Sequence, residues 1–297
     1  MRLTRTKAVV VGLMLAAATT ACGGDAGSGG DGGSDAKVEE NAADSFEEGT
    51  QMRELAEAGK ITIGVKYDQP GLGFKGAADD APSGFDVEMG KIFAGKLGIN
   101  ADDITWKETI SDNREPFLES GEVDLVIATY SITDERRQVV GQAGPYYLTG
   151  QQLLVKKGSD IKGVEDIKGQ EVCSVTGSTS LDNVEAEGAK PRGFDTYSEC
   201  RDQVLDGTVQ AMTTDGSILL GYVAQNPDEL EVVGEPFSEE RYGVGYSKDS
   251  PEMCEWINET LTTSFEDGTW KKAFDSTLGE SGVEAPEAPE LDPCETA

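Results

Sequence analysis

The amino-acid sequence predicts an α/β fold, and three observations carry that reading. From residue 61 onward, short apolar runs alternate with amphipathic stretches of helical spacing. The same alternation starts again near residue 151. A chain of 297 residues with 37% hydrophobic content is long enough for one large domain or two lobes of ordinary size. Strands separated by helices predict mostly parallel sheets.

The elements follow in order. MRLTRTK carries three positive charges and no negative ones, and AVVVGLMLAAATT is an apolar run that ends at Ala21 and Cys22. TTAC resembles a bacterial lipoprotein signal, with Thr19 where Leu is usual. Residues 1–21 are therefore expected to be a signal peptide and Cys22 to carry lipid. The alternative is an ordinary export signal with a leftover cysteine. No other run approaches the ~20 apolar residues of a membrane span. Residues 22–45, rich in Gly, Ser and Asp, are expected to be a flexible tether. ITIGVK (61–66) and DITWKET (103–109) read as strands, with an amphipathic helix over 84–98 between them. A short helix follows at 113–120, then a buried strand VDLVIAT at 123–129 and a helix that opens at Thr133. In the second round QQLLVKK, EVCSVT and VQAMTTD are strands, each followed by a helical stretch. LEVVG and YGVGYS are strands, and helices cover 251–267 and 270–274. The last residues, Pro- and Glu-rich, would be disordered alone.

Composition excludes some classes. The formal net charge of −31 argues against nucleic acid and anionic membrane surfaces as partners. The chain has no histidine and no CxxC, so no metal site and no cofactor is expected. Export permits disulfides. Setting Cys22 aside, Cys173, Cys200, Cys254 and Cys294 allow three pairings; sequence proximity favours Cys173–Cys200 and Cys254–Cys294, the second pinning the tail.

Ligands of open α/β sheets collect at the carboxyl ends of strands. Three such ends carry polar groups. Thr129-Tyr130-Ser131 with Arg136 follows VDLVIA, Gly177-Ser178-Thr179 follows EVCSVT, and Asp215 closes VQAMTTD. Arg136 offers a planar fork suited to a carboxylate. Ser178 and Thr179 lie at a helix start, a natural anion site, and Asp215 suits an ammonium. Arg137 points about 100° further round the helix and reads as a surface partner of Asp134 or Glu135. Each feature alone has an ordinary reading as a cap or surface charge. Together, after three strands of one repeating pattern, they suit an amino acid.

The stretches KYDQPGLGFK, GFDVEM, GEVDLVIATYSITDERR, GPYYLTGQQLLVK, CSVTGSTS, DTYSEC and AMTTDGSILLGY run in one order over residues 60–280. In this the chain resembles the solute-binding proteins of ABC importers for polar amino acids, most closely glutamate-binding lipoproteins. The resemblance implies a type II periplasmic-binding-protein fold, two α/β lobes joined by two hinge segments with the ligand in the cleft. Lobe 1 would hold 46–149 and 243–297 and lobe 2 150–242, with crossings near 149–152 and 241–245. It implies Arg136 and Ser131 on the ligand α-carboxylate, with Ser178 and Thr179 closing over it. Asp215 would take the α-ammonium, helped by Thr129 or the Ala128 carbonyl. Lys66 and Arg114, with Ser111 nearby, would meet a side-chain carboxylate, and Tyr197 would reach in from lobe 2. Family members often place an aromatic near Gln69–Phe74; here Gly71-Leu72-Gly73 leaves that residue unassigned.

The function expected is capture of glutamate, or of aspartate or glutamine, by a monomer. The protein would be lipid-anchored on the extracellular face of the cytoplasmic membrane and would deliver the ligand to ABC permease subunits. Two other classes compete. A ligand-reporting subunit of a sensor would look the same. An enzyme on the same scaffold would need a positioned acid or base, and without histidine only carboxylates such as Glu108 and Asp112, a lysine or a tyrosine could serve.

Overall fold

The computed structural model describes residues 36–294. The signal peptide, Cys22 and the first part of the tether lie outside the described residues. From residue 36 the expected tether is packed rather than loose. Glu39 N–H donates to Gly95 O (2.9 Å) and Ala42 is buried. Phe46 meets Trp256 edge-on. Apolar side chains spaced among the acidic ones give this stretch something to bury, which composition alone hides.

The first round contains α1 (Gln51–Ala58), β1 (Ile61–Val65), the small hairpin β2 (Asp68–Gln69) and β3 (Gly73–Phe74), and α2 (Phe85–Lys96). It continues with β4 (Ile104–Glu108), α3 (Arg114–Glu119), β5 (Leu125–Val126), α4 (Asp134–Val139) and β6 (Gly141–Thr149). The second contains β7 (Gln151–Lys156), β8 (Glu171–Val175), α5 (Thr179–Ala186), β9 (Lys190–Phe194) and α6 (Tyr197–Leu205). It closes with β10 (Ala211–Asp215), α7 (Gly216–Gln225) and β11 (Leu230–Val233). The chain then returns through β12 (Glu240–Tyr246) to α8 (Met253–Asp267) and α9 (Thr269–Asp275).

Two five-stranded sheets result, in the orders β4-β1-β5-β12-β6 and β11-β7-β10-β8-β9. They are mixed rather than mostly parallel. β1 pairs in parallel with β4 and β5, and β8 with β9 and β10. The strands that carry the chain between the sheets run antiparallel to their neighbours. That passage accounts for both antiparallel flanks, because a strand arriving from the other sheet enters against the βα direction. β6 covers the Gly-Pro-Tyr-Tyr stretch, and α1 and β9 have no counterpart in the sequence reading. The return passage also falls earlier than 241–245, since Glu240 is already paired with Thr149.

The core of the first sheet gathers an aromatic cluster in which Phe85 lies 5.5–6.0 Å from Tyr146, Tyr147, Trp270 and Phe274. Trp270 Nε1 donates to Tyr146 O (2.9 Å), fixing α9 against the passing strand β6. Disulfides join Cys173 to Cys200, between β8 and α6, and Cys254 to Cys294, between α8 and the tail.

Candidate functional site

Loops at the ends of the two sheets meet. Gly177, after β8, has φ +76°, and a Cβ there would lie 2.9 Å from Asp112 N and Cα. Only glycine fits such a backbone at such an approach. Its carbonyl accepts from Arg114 Nη2 (2.9 Å) and Arg136 Nη2 (3.0 Å). Asp68, after β1, accepts at Oδ2 from Tyr197 N–H (2.7 Å), and its carbonyl accepts from Tyr222 OH (2.5 Å).

The cations here are buried. Lys66 closes β1 at 3% exposure and donates to Ser111 Oγ (2.8 Å). Burial lowers its ammonium to about 7, with Arg114 pushing the same way. Arg114 opens α3 at 2% exposure, and its donors go to the carbonyls of Ser111, Ala128, Thr129 and Gly177. Burial lowers it to about 10. Among the described residues neither has a carboxylate partner within 4.0 Å. Arg136 sits in the first turn of α4, whose N-cap Thr133 accepts its N–H. Its guanidinium donates to Ser131 O (2.6 Å) and Gly177 O and pairs through Nε with Glu115 (3.2 Å). One N–H remains on each terminal nitrogen. Arg114 and Arg136 both stack on Tyr130, 4.5 and 4.9 Å from its centroid.

The strand end under these cations is held by Asp86, a fully buried carboxylate of α2 that accepts from Thr129 N–H (2.9 Å) and Tyr146 OH (2.7 Å). Thr129 has φ +46°, a costly conformation for a β-branched residue and of the kind that collects at functional sites. Its hydroxyl donates to Ala128 O (2.8 Å). Burial raises Asp86 to about 7.

From the second sheet, Asp215 ends β10 at 4% exposure. Oδ2 accepts from Tyr242 OH (2.6 Å), while Oδ1 has no partner among the described residues. Burial raises this carboxyl to about 7, and Glu240 raises it further. Ser178 caps α5, accepting from Leu181 N–H and donating to Val175 O (2.7 Å), and Thr179 Oγ1 donates to Glu240 (3.0 Å). Tyr197 is buried at the start of α6, and burial pushes its phenol up to about 12, Asp215 adding to it.

The contacts thus bring Lys66, Ser111, Arg114, Thr129, Ser131, Arg136 and Gly177 into one network, while Asp68 holds the Tyr197 N–H. Asp215 and Thr179 meet the strand β12 that flanks it. Arg137 does not pair with Asp134 or Glu135; it reaches Asp292 on the tail (2.7 Å). Asp86, Tyr242 and Glu240 escaped the sequence reading, as did Gln69, which has zero exposure and no partner for either amide atom among the described residues. Their only local signal was polarity in apolar surroundings.

The chain has clear relatives. A family model described as bacterial extracellular solute-binding proteins, family 3, matches residues 61–280. Glutamate-binding protein GluB of Corynebacterium efficiens is 40% identical over 247 residues, spanning 79% of this chain and 84% of the relative. The ABC transporter glutamine-binding protein GlnH of Bacillus subtilis is 35% identical, over 76% of this chain and 83% of its own. Among solved structures, an ancestral arginine-binding protein bound to glutamine superposes with a TM-score of 0.69 at 39% identity, covering 74% of this chain and 98% of that one.

Proposed function

The chain belongs to family 3 of the bacterial extracellular solute-binding proteins, and we propose that it captures glutamate between its two halves and delivers it to an ABC permease. One observation carries the choice of ligand. Lys66 and Arg114 are buried cations without a carboxylate partner, in a protein of net charge −31, while buried Asp215 keeps an unpartnered oxygen. Buried charges are ordinarily paired. A molecule with two carboxylates and one ammonium supplies what both sides lack.

In this reading Arg136 and Ser131 hold the α-carboxylate, with the first turn of α5 at Ser178 and Thr179 facing it. Asp215 and Thr129 take the α-ammonium. Lys66, Ser111 and Arg114 meet the side-chain carboxylate, Tyr197 packs beside the ligand, and the amide of Gln69 adds a polar contact. The lobes divide at the two passages between the sheets, near Gly150 and before Glu240, and closure brings Gly177 against Arg114 and Arg136. The protein acts as a binder and not an enzyme. Its start, through Cys22, anchors it by lipid outside the cytoplasmic membrane.

Glutamine is the second reading. Lys66 titrates near neutrality, so half its charge is absent at pH 7, and one close relative is a glutamine-binding protein. Calorimetric titration with the twenty amino acids separates the two. Glutamate should bind tightest, with aspartate next and glutamine third. Equal or tighter binding of glutamine overturns the assignment of Lys66 and Arg114.

A further inference from the structure

The C-terminal tail reaches the two elements that carry the proposed clamp. Asp292 Oδ2 accepts from Arg137 Nη2 (2.7 Å) and also from Arg241 Nη2. Arg137 follows Arg136 on α4, and Arg241 precedes Tyr242 on β12. One carboxylate oxygen thus ties together the neighbours of the residue proposed for the α-carboxylate and of the residue that orients Asp215.

The tail is itself held on three sides. Asp292 N–H donates to Gly144 O on β6 (2.7 Å), Asn258 of α8 donates to Asp292 O (2.9 Å), and Gly144 N–H donates back to Asn258 Oδ1 (3.0 Å). Two residues on, Cys294 is bonded to Cys254 of α8. Without that anchor, a Pro- and Glu-rich segment would not stay in place. The elements it joins also meet through β6, where the Gln142 side chain accepts from Thr133 N–H (3.1 Å) and donates to Ser131 O (3.2 Å) and its carbonyl accepts from Arg137 Nη2 (3.3 Å). α4 has only six residues, and its approach to β12 rests on Ile132 N–H to Arg241 O (2.8 Å), Gly243 N–H to Tyr130 O (2.9 Å) and the bridge between Ser131 and Tyr242. Lys248 holds the far end of α4 through the carbonyls of Arg137 and Gln138.

We infer that Asp292 is a positioning residue for the binding site: the disulfide-anchored tail acts as a strap that sets α4 against β12 and so sets Arg136 relative to Tyr242 and Asp215. This rests on the proposed reading of those residues as the clamp for the α-groups. The strap touches no part that would meet a ligand side chain, so it bears on affinity and not on choice of ligand.

The test compares Asp292→Asn, Asp292→Glu and the Cys254→Ser/Cys294→Ser pair with the wild type, using L-glutamate and L-aspartate in calorimetry and amide hydrogen exchange without ligand. Part-exposed ion pairs acting together at two arms should be worth about three- to tenfold in affinity. Asp292→Asn is expected to lose that much for both amino acids, with their ratio and the melting temperature unchanged. Exchange should quicken over 132–140 and 241–246 alone. Asp292→Glu, which keeps the carboxylate, should recover most of the loss, and adding Asp292→Asn to the serine pair should cost nothing more. Affinity of Asp292→Asn within about twofold of wild type, less than a single such pair should give, or unchanged exchange over α4, overturns the strap. If the wild type binds neither amino acid, the proposed function fails. The exchange arm then still decides whether Asp292 holds α4.

Discussion

Raising the pH above neutrality should weaken glutamate binding and leave glutamine binding nearly constant. Lys66 is the group proposed to tell the two apart, and its ammonium titrates at about 7 because it is buried beside Arg114. With that value, about one half of Lys66 is charged at pH 7, roughly one tenth at pH 8 and about 3% at pH 8.5. If the side-chain carboxylate needs the charged form, the glutamate Kd rises roughly fifteenfold from pH 7 to 8.5. The fall levels off only where glutamate binds the neutral lysine. A buried ion pair worth about 2–5 kcal/mol places that limit at about 30-fold or more; at the lower figure levelling begins at about pH 8.5 and the rise is about eightfold.

The other groups near neutrality cancel in the ratio. Asp215 and Asp86, both raised to about 7 by burial, face the features common to both ligands, as does the α-ammonium. Arg114, Arg136, Asp68 and Asp86 surround Lys66; Arg114, lowered only to about 10, stays charged over this range, and ionisation of Asp86 with rising pH only delays the loss of the lysine proton. Calorimetry at pH 6.5, 7.5 and 8.5 in two buffers of different ionisation enthalpy reads both affinity and proton uptake. Glutamate should take up about one half to one proton per site at pH 8.5 and glutamine should not. In Lys66→Met the ratio should be flat with pH. A wild-type ratio constant from pH 6.5 to 8.5 refutes the role given to Lys66.

Three further outcomes are expected. Arg136→Ala should remove detectable amino-acid binding at unchanged circular dichroism, since a buried carboxylate without its partner costs about 2–5 kcal/mol; near-normal affinity would return Arg136 to the Glu115 and Ser131 contacts alone. Lys66→Met and Arg114→Met should each weaken glutamate far more than glutamine, by titration. Arg114→Met should also lower the melting temperature, because carbonyls of Ser111, Ala128, Thr129 and Gly177 lose their donor. The ligand-free protein should gain stability as pH falls from about 7 toward 4. Asp86 and Asp215 have folded values raised by burial to about 7, above the ordinary carboxylate range, so the folded state binds more protons across that range. Lys66 works the other way above 7, where the unfolded chain holds a proton that the folded one has lost. Melting temperatures that fall steadily from pH 7 to 5 would contradict these assignments.

What could be read from the chain was whatever stands beside its own strand or cap. Arg136 was legible because Thr133, three residues earlier, caps the helix that presents it, and Asp215 because it closes the strand-like run VQAMTTD. The alternation of strands and helices, and its restart at residue 151, is also local. The antiparallel flanks were not legible, because direction in a sheet depends on which strands the chain must use to cross between sheets. β6 shows the cost most plainly: Gly144 and Pro145 look like a turn, yet the stretch is buried almost end to end and pairs with β12 along its length. Nor could the strand end that shapes the site be derived. Thr129 is held by Asp86 from 43 residues away, and Arg137 by Asp292 from 155 away. Such pairs leave no periodicity, and the nearest acidic residue in sequence is a poor guide to the partner. In a chain with 56 acidic residues against 25 basic ones, Arg136 and Arg137 each have both Asp134 and Glu135 within a helical turn. Lys66 and Arg114 make the same point in reverse. A surface reading was reasonable for each, and only burial without a counter-charge distinguishes them. A protein this acidic could neutralise both by a single substitution nearby, so two buried cations without a counter-charge, together with an Asp215 oxygen that lacks a partner among the described residues, are the feature that the proposed dicarboxylic ligand accounts for.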